Sequence, residues 1–238
     1  MFITRKFALP LSIAAGTYAC VIRPHLLHWG ATDQEVRGPF PGADLIPGGS
    51  RSATMAVTLD TPPDRVWPWL VQMGADRAGW YSWDHLDNWG HPSDTRIHPE
   101  WQAITVGDSL SAMPDGSLGW EVAALEPEHF LGLRMSVDLR GRPFDPNGTR
   151  PRYYTDSLWA FLLEQQSGNQ TRLVVSGYWT FQPCWLQPIM SVLFLDLQHW
   201  IMQTRQFANL KRRIERTAPV TMIPTPFAEP AAASAGMP

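Results

Sequence analysis

Residues 171–181 read TRLVVSGYWTF, and residues 183–216 read PCWLQPIMSVLFLDLQHWIMQTRQFANLKRRIER. In the first stretch Leu173, Val175, Gly177, Trp179 and Phe181 alternate with Arg172, Ser176, Tyr178 and Thr180, the two-residue period of a strand. The second stretch has no glycine. Its prolines, Pro183 and Pro188, sit in the opening turns, where a helix tolerates them. Leu186, Met190, Leu193, Leu197, Ile201, Thr204, Ala208 and Lys211 recur at helical spacing, which predicts one apolar stripe with only Lys211 reaching solvent. A long amphipathic helix laid across a curved antiparallel sheet encloses an apolar hollow. The expected fold class is therefore α+β, a helix-grip in which the sheet wraps around the C-terminal helix.

Composition narrows the function classes. The 238 residues suit one domain with extensions. A net charge of −3, from 19 basic against 22 acidic side chains, gives no field that would recruit nucleic acid. Twelve tryptophans and ten phenylalanines supply large rigid rings for a core or for the walls of an apolar pocket. Two cysteines without clustered spacing, Cys20 and Cys184, do not make a disulfide framework or a zinc site.

Working toward the N-terminus, strands are expected at roughly Gly107–Met113, Leu118–Leu125, His129–Val137, Asp156–Glu164 and Thr171–Phe181, separated by Gly, Pro, Asn and Asp turns. An Arg/Pro/Gly-rich excursion from Asp138 to Arg152 interrupts them and reads as a flap. Ala53, Met55, Val57 and Leu59 form the first strand. Thr61-Pro62-Pro63-Asp64 opens a helix that Gly74 closes. Thr32-Asp33-Gln34-Glu35 is a capping-box pattern. The domain is expected over 28–217, with a Pro/Ala-rich disordered tail over 218–238.

Residues 1–27 form a hydrophobic N-terminal segment. Phe7 to Ile22 is apolar or small, preceded by Arg5 and Lys6 and closed by Arg23, and would be about 24 Å long as a helix. This predicts a single membrane anchor, with the membrane as a partner. A cleaved secretory signal, with Thr17-Tyr18-Ala19 as cleavage site, or a soluble hydrophobic arm are the alternatives, giving a secreted, periplasmic or cytoplasmic protein.

Several segments carry a family resemblance: His28-Trp29-Gly30-Ala31-Thr32-Asp33, Val66-Trp67-Pro68-Trp69-Leu70-Val71-Gln72-Met73-Gly74, Gly79-Trp80-Tyr81-Ser82-Trp83-Asp84, Pro99-Glu100-Trp101-Gln102, Val106-Gly107-Asp108, Trp159-Ala160-Phe161, and His199-Trp200 with Lys211-Arg212-Arg213. Over about residues 28–216 the chain resembles the START-like, or SRPBCC, superfamily, which includes polyketide cyclase/dehydrase-like proteins and lipid carriers. The resemblance implies a helix-grip fold and a hydrophobic small molecule or lipid in an internal cavity. It is specific for fold and poor for function.

Candidate chemistry is read residue by residue. Tyr81 and Asp84, at i and i+3, are expected on one helical face, with Asp84 accepting a proton and Tyr81 polarising a carbonyl. His199, at i+3 from Asp196, is a third acid/base candidate, its pKa expected to rise beside the carboxylate. Trp80, Trp83, Glu100, Trp101, Arg134, Trp159, Tyr178 and Trp179 are the candidate ligand-binding residues, although strand parity turns some of them away. His85, Asp87, His91, Asp94 and His98 can ligate metals, but they lack the spacing of a known site and are read as solvated loop polars, so neither metal nor cofactor is expected. No nucleophile elbow, phosphate loop, dinucleotide fingerprint or HExxH is present. The function expected is binding of a hydrophobic small molecule or lipid. The alternative is a cyclase/dehydratase-like enzyme using Asp84, Tyr81 or His199.

Overall fold

A computed structural model describes residues 16–216, apart from the side chains of residues 193 and 194. The expected tail over 218–238 and the first part of the hydrophobic N-terminal segment lie outside those residues. Within them the strands are β1 (Ser50–Arg51), β2 (Met55–Leu59), β3 (Ser109–Ser111), β4 (Gly119–Glu126), β5 (Phe130–Asp138), β6 (Tyr154–Gln166) and β7 (Gln170–Gln182). They form one antiparallel sheet in the order β1-β7-β6-β5-β4-β3, with β2 also paired to β7. The two longest strands, β6 and β7, form a hairpin. Gly168 and Asn169 reverse the chain there with φ of 77° and 62°, a conformation that glycine and asparagine adopt at low cost.

Alternation along the strands divides the sheet into two faces. Leu131, Leu133, Phe161, Leu163, Leu173 and Val175 point into the main core, where they meet Phe207, Leu210 and Ile214 of the terminal helix. Phe130, Leu158, Ala160 and Val174 point the other way and are covered by Phe40, Leu45 and Ile46 from the segment before β1. That segment is held by side chains as well as by burial. Thr32 and Glu35 complete the capping box of α1 (Asp33–Arg37), and Glu35 also accepts from Arg172 Nε at 2.7 Å and Nη2 at 2.9 Å. The curved antiparallel sheet around a long terminal helix is the α+β helix-grip architecture expected from the strand parity and the helical period.

Helix α2 (Pro63–Val71) opens with Pro63 in its first turn, where a missing N–H costs nothing, and buries Val66, Trp69, Leu70 and Val71. Helix α3 (Asp84–Asp87) is a single turn. The C-terminal helical run begins with a 3-10 turn at Cys184–Leu186 and passes through α4 (Gln187–Met190) and a π turn at Ser191–Leu195. It then continues as the 21-residue α5 (Asp196–Arg216).

The π turn corrects the expected apolar stripe. One residue added to a turn rotates everything after it by roughly 100°, so a stripe drawn straight through Leu186, Met190 and Leu197 loses phase. The face of α5 toward the sheet is Gln203, Gln206, Phe207, Leu210 and Ile214, whereas Leu197 is 49% exposed.

The membrane anchor is also corrected. Residues 7–15 of the expected span lie outside the described residues. The rest forms a π turn at Tyr18–Ile22 and a short α-helix at Arg23–Leu27 that dock on the C-terminal run. Tyr18 Oη donates to Val192 O at 3.2 Å, and Arg23 Nε pairs with buried Asp196 at 2.7 Å. Among the described residues no helix is long and apolar enough to cross a membrane.

Candidate functional site

The space between the sheet and α5, where the sequence predicts a hollow, is lined by packed side chains of the main core and organised by the β6–β7 ladder. Trp159 stands opposite Gly177 on β7 and Leu133 on β5, and the next inward pair is Phe161 with Val175. A Cβ at position 177 would overlap the Leu158 carbonyl oxygen, so only glycine lets the two backbones close at this step. Trp159 is the hub of an aromatic cluster. Its ring centroid lies 5.6 Å from Trp80, 5.6 Å from Trp120 and 4.8 Å from Phe161, all in tilted arrangements. Such pairs contribute about 0.5–1.5 kcal/mol each beyond the area they bury. The Trp159 Nε1–H is shielded from solvent and meets no acceptor, and the same holds for Trp200 Nε1 on α5.

The helix side of the hollow carries His199, Gln203 and Gln206, spaced four and three residues apart on one face of α5. Gln206 Nε2 donates to the Trp80 carbonyl at 2.9 Å, and Gln203 Nε2 donates to Gln206 Oε1 at 2.7 Å. A pair of buried amides thus fixes the loop that carries Trp80 to the helix. His199 behaves opposite to expectation. Burial lowers its pKa to about 4 against the raising effect of Asp196. The carboxylate that should have charged it is occupied by Arg23 and by Ser191 Oγ at 2.6 Å. At neutral pH the ring is therefore neutral, and its Nε2 lacks both solvent and partner.

Tyr81 and Asp84 do not share a helical face. Tyr81 has φ of 59° and precedes the helix that Asp84 begins. What joins them is Ser93: its Oγ accepts from Tyr81 N at 3.2 Å and donates to Asp84 Oδ1 at 2.8 Å, while Ser93 N donates to the same oxygen at 3.0 Å. The Tyr81 hydroxyl is buried elsewhere, accepting from Gln72 Nε2 at 2.8 Å, with Arg213 4.9 Å above the ring. Burial drives the Tyr81 pKa far above its ordinary value. Asp87, three residues beyond Asp84, has both carboxylate oxygens shielded from solvent. Burial, reinforced by the Asp84 charge and opposed by the Ser82 hydroxyl, raises its pKa to about 6.

The remaining candidates are dispersed. Arg134 lies on the face away from the helix, where Nε and Nη2 grip fully buried Asp156 at 2.9 and 2.7 Å. Tyr178 is on that face too, donating to the Phe40 carbonyl at 2.8 Å. Trp179 is on the hollow face, 6.5 Å edge-on to Phe181. Trp83 is 44% exposed and donates to Ile201 O at 3.3 Å, under the Arg205 guanidinium. Glu100 is exposed and meets His98 Nδ1 at 3.2 Å. Trp101 stacks on the same imidazole at 4.3 Å. His98 also contacts Asp94 at 2.6 Å, which raises the imidazole pKa and lowers that of Asp94. Among the described residues no group of three or more His, Cys, Asp or Glu side chains is placed to hold a metal ion. The structure thus gathers Trp80 and Trp159 and sets Trp179 on the same face, keeps Tyr81 in the core and His199 on the helix side, leaves Trp83 and Glu100 exposed, and puts Arg134 and Tyr178 on the far face.

The hollow face continues outward along β6 and β7, through Ser157 and Trp179 and then Thr155 and Phe181. Past their ends lies a groove of about 600 Å³ lined by Leu139, Arg152, Tyr153, Gln182, Pro183, Trp185 and Leu186. Six residues separate Trp159 from Tyr153, about 20 Å of extended chain. A smaller cavity of about 150 Å³ sits at the opposite end of α5, beside Lys211 and Ile214.

Trp120, Phe161, Gln206 and the groove residues were not among the site candidates named from the sequence. Trp120 stands two residues before Val122 on β4, and that spacing was the available signal for a shared inward face. Nothing local in the sequence marks Gln206, whose partner Trp80 is 126 positions away.

No family model and no curated protein matches the chain. Similar solved structures include a protein from Arthrobacter aurescens at 18% identity and a TM-score of 0.38, covering 71% of this chain and 87% of that one. DynU16, from the dynemicin biosynthetic locus, matches at 19% identity and a TM-score of 0.38, over 68% of this chain and 46% of its own. CalU16 from Micromonospora echinospora matches at 13% identity and a TM-score of 0.31, over 70% and 85% of the two chains. At these scores the likenesses carry no functional argument.

Proposed function

We propose that the chain binds a hydrophobic small molecule, a lipid or a compound of similar polarity, between the sheet and α5. The observation that carries this reading is the continuous aromatic face of β6 and β7, which runs from Phe161 and Trp159 past Trp179 and Phe181 to the 600 Å³ groove. Rings at this density offer a ligand apolar area worth about 25 cal/mol per Å² removed from water. The Trp159 N–H, buried without an acceptor, offers a polar anchor to a ligand oxygen, and Trp200 Nε1 and His199 Nε2 on α5 are likewise unpartnered. The START-like resemblance of the sequence points the same way.

Carriage is favoured over turnover by the state of the acid/base candidates. Tyr81 is committed to Gln72, Asp84 is committed to Ser93, and His199 is neutral and remote from any carboxylate free to orient it. The test is a titration with a neutral apolar probe, decanol, followed by tryptophan quenching and by melting temperature. Saturable quenching with a raised melting temperature is expected, because a ligand held only by the folded state stabilises it. Trp159→Leu, with folding checked by circular dichroism, should weaken both responses. A linear, unsaturable response in the full chain would retire the proposal.

A further inference from the structure

We propose that the groove at the outer end of the hollow holds the carboxylate of a single-chain amphipathic anion, a free fatty acid, with Arg152 as the cation that reads it. This inference rests on the hollow being a ligand site and names the class of ligand. Five of the seven lining residues are apolar or aromatic, and Leu139, Tyr153 and Trp185 are 50%, 43% and 66% exposed. The groove volume falls within the range of roughly 300–1,000 Å³ common for small-molecule sites.

Charge decides the occupant. The Arg152 guanidinium is parked over the Tyr153 ring at 5.1 Å, and among the described residues it joins no ion pair. The carboxylates of the adjoining strand ends are already used. Asp138 holds Arg142 at 2.6 Å, and Asp156 holds Arg134 at 2.7 Å with Arg150 at 3.5 Å. An exposed guanidinium stacked on a ring at the rim of an apolar trough, without an ion-pair partner among the described residues, has planar donors left for an anion. Gln182, also on the rim, adds an amide that can donate to the second oxygen. One arginine and one amide match a planar monoanion better than a phosphate dianion, and the aromatic face leading inward suits its chain.

The experiment is calorimetric titration of the full chain with decanoate and decanol, each below its micellar or solubility limit. Decanoate should bind about tenfold or more tighter than decanol, the margin of one charge-assisted contact. Arg152→Gln should remove that margin by weakening decanoate alone, whereas Arg140→Gln should change neither ligand. Equal binding of the two ligands, or a margin that survives Arg152→Gln, overturns the assignment of an anion site and leaves the hollow as a ligand site. Binding of neither ligand overturns both. Sedimentation with phosphatidylglycerol vesicles, without binding of monomeric decanoate, overturns the inference in favour of a bilayer surface.

Discussion

Replacing His199 by Gln should change how stability depends on pH, in a direction set by burial. The imidazole has a pKa of about 4 in the folded chain against 6.5 for the free group. A group whose folded pKa is depressed takes its proton in the unfolded state first. For histidine this means stability is lost as pH falls from 6.5 toward 4, by about 3 kcal/mol over that window. Asp87 acts with the opposite sign. Its carboxyl is raised to about 6 from 3.8, so stability is gained as pH falls through the same region. Discounted for a half-buried residue, that gain is about 2 kcal/mol. The two nearly cancel in the wild type. Urea unfolding at pH 7, 6, 5 and 4 separates them. Relative to wild type, His199→Gln should gain about 3 kcal/mol on going from pH 7 to pH 4, and Asp87→Asn should lose about 2 kcal/mol. A difference between wild type and His199→Gln that stays constant across those pH values would refute the burial of the imidazole in its neutral form.

Asp156→Ala should destabilise the chain by about 3–5 kcal/mol in urea unfolding, because it strands the buried Arg134 guanidinium; adding Arg134→Met should recover much of that loss. Tyr81→Phe should cost about 1 kcal/mol, the hydrogen bond from Gln72, and should leave decanol binding intact if the phenol is structural. Arg23→Ala should free the Tyr18–Leu27 helical segment from the C-terminal run. Limited proteolysis between residues 16 and 27 should then proceed faster than in the wild type.

The parts of the fold that depend on local pattern were readable in advance. Leu173, Val175, Trp179 and Phe181 declared a strand, and Thr32 with Glu35 declared a helix start, because each signal sits within a few residues; that Val174 and Ser176 on the opposite face are buried as well depends on the segment before β1. The phase of α5 was not readable, since whether Ser191–Leu195 takes a π turn is settled by packing rather than by composition. Nor was the pairing of Arg134 with Asp156, which depends on the register between β5 and β6, or the capture of Asp196 by Arg23 from 173 positions away. Burial of the imidazole, also set by tertiary packing, inverted the pKa argument for His199, although Asp196 still acts to raise it. Trp159 was visible as a candidate tryptophan, whereas its place as the hub of a cluster required β4 and the Trp80 loop to converge on β6. Tyr81 and Asp84 looked like one helical face because their spacing suits a helix, and the positive φ at Tyr81 broke that relation.

The central claim is that the Trp159 hollow takes a hydrophobic ligand, and fluorine NMR on chain labelled with 5-fluorotryptophan tests it most directly. All twelve tryptophans lie within the described residues, so each resonance can be assigned by replacing one indole at a time with Phe. On titration with decanol the resonances of Trp80, Trp120 and Trp159 should move together and saturate with one dissociation constant, while Trp89, 61% exposed on its loop, stays in place. If those three resonances remain fixed up to the solubility limit of decanol, or if shifts are confined to the exposed Trp83 and Trp89 and grow linearly, the hollow is core rather than binding site and the account is wrong.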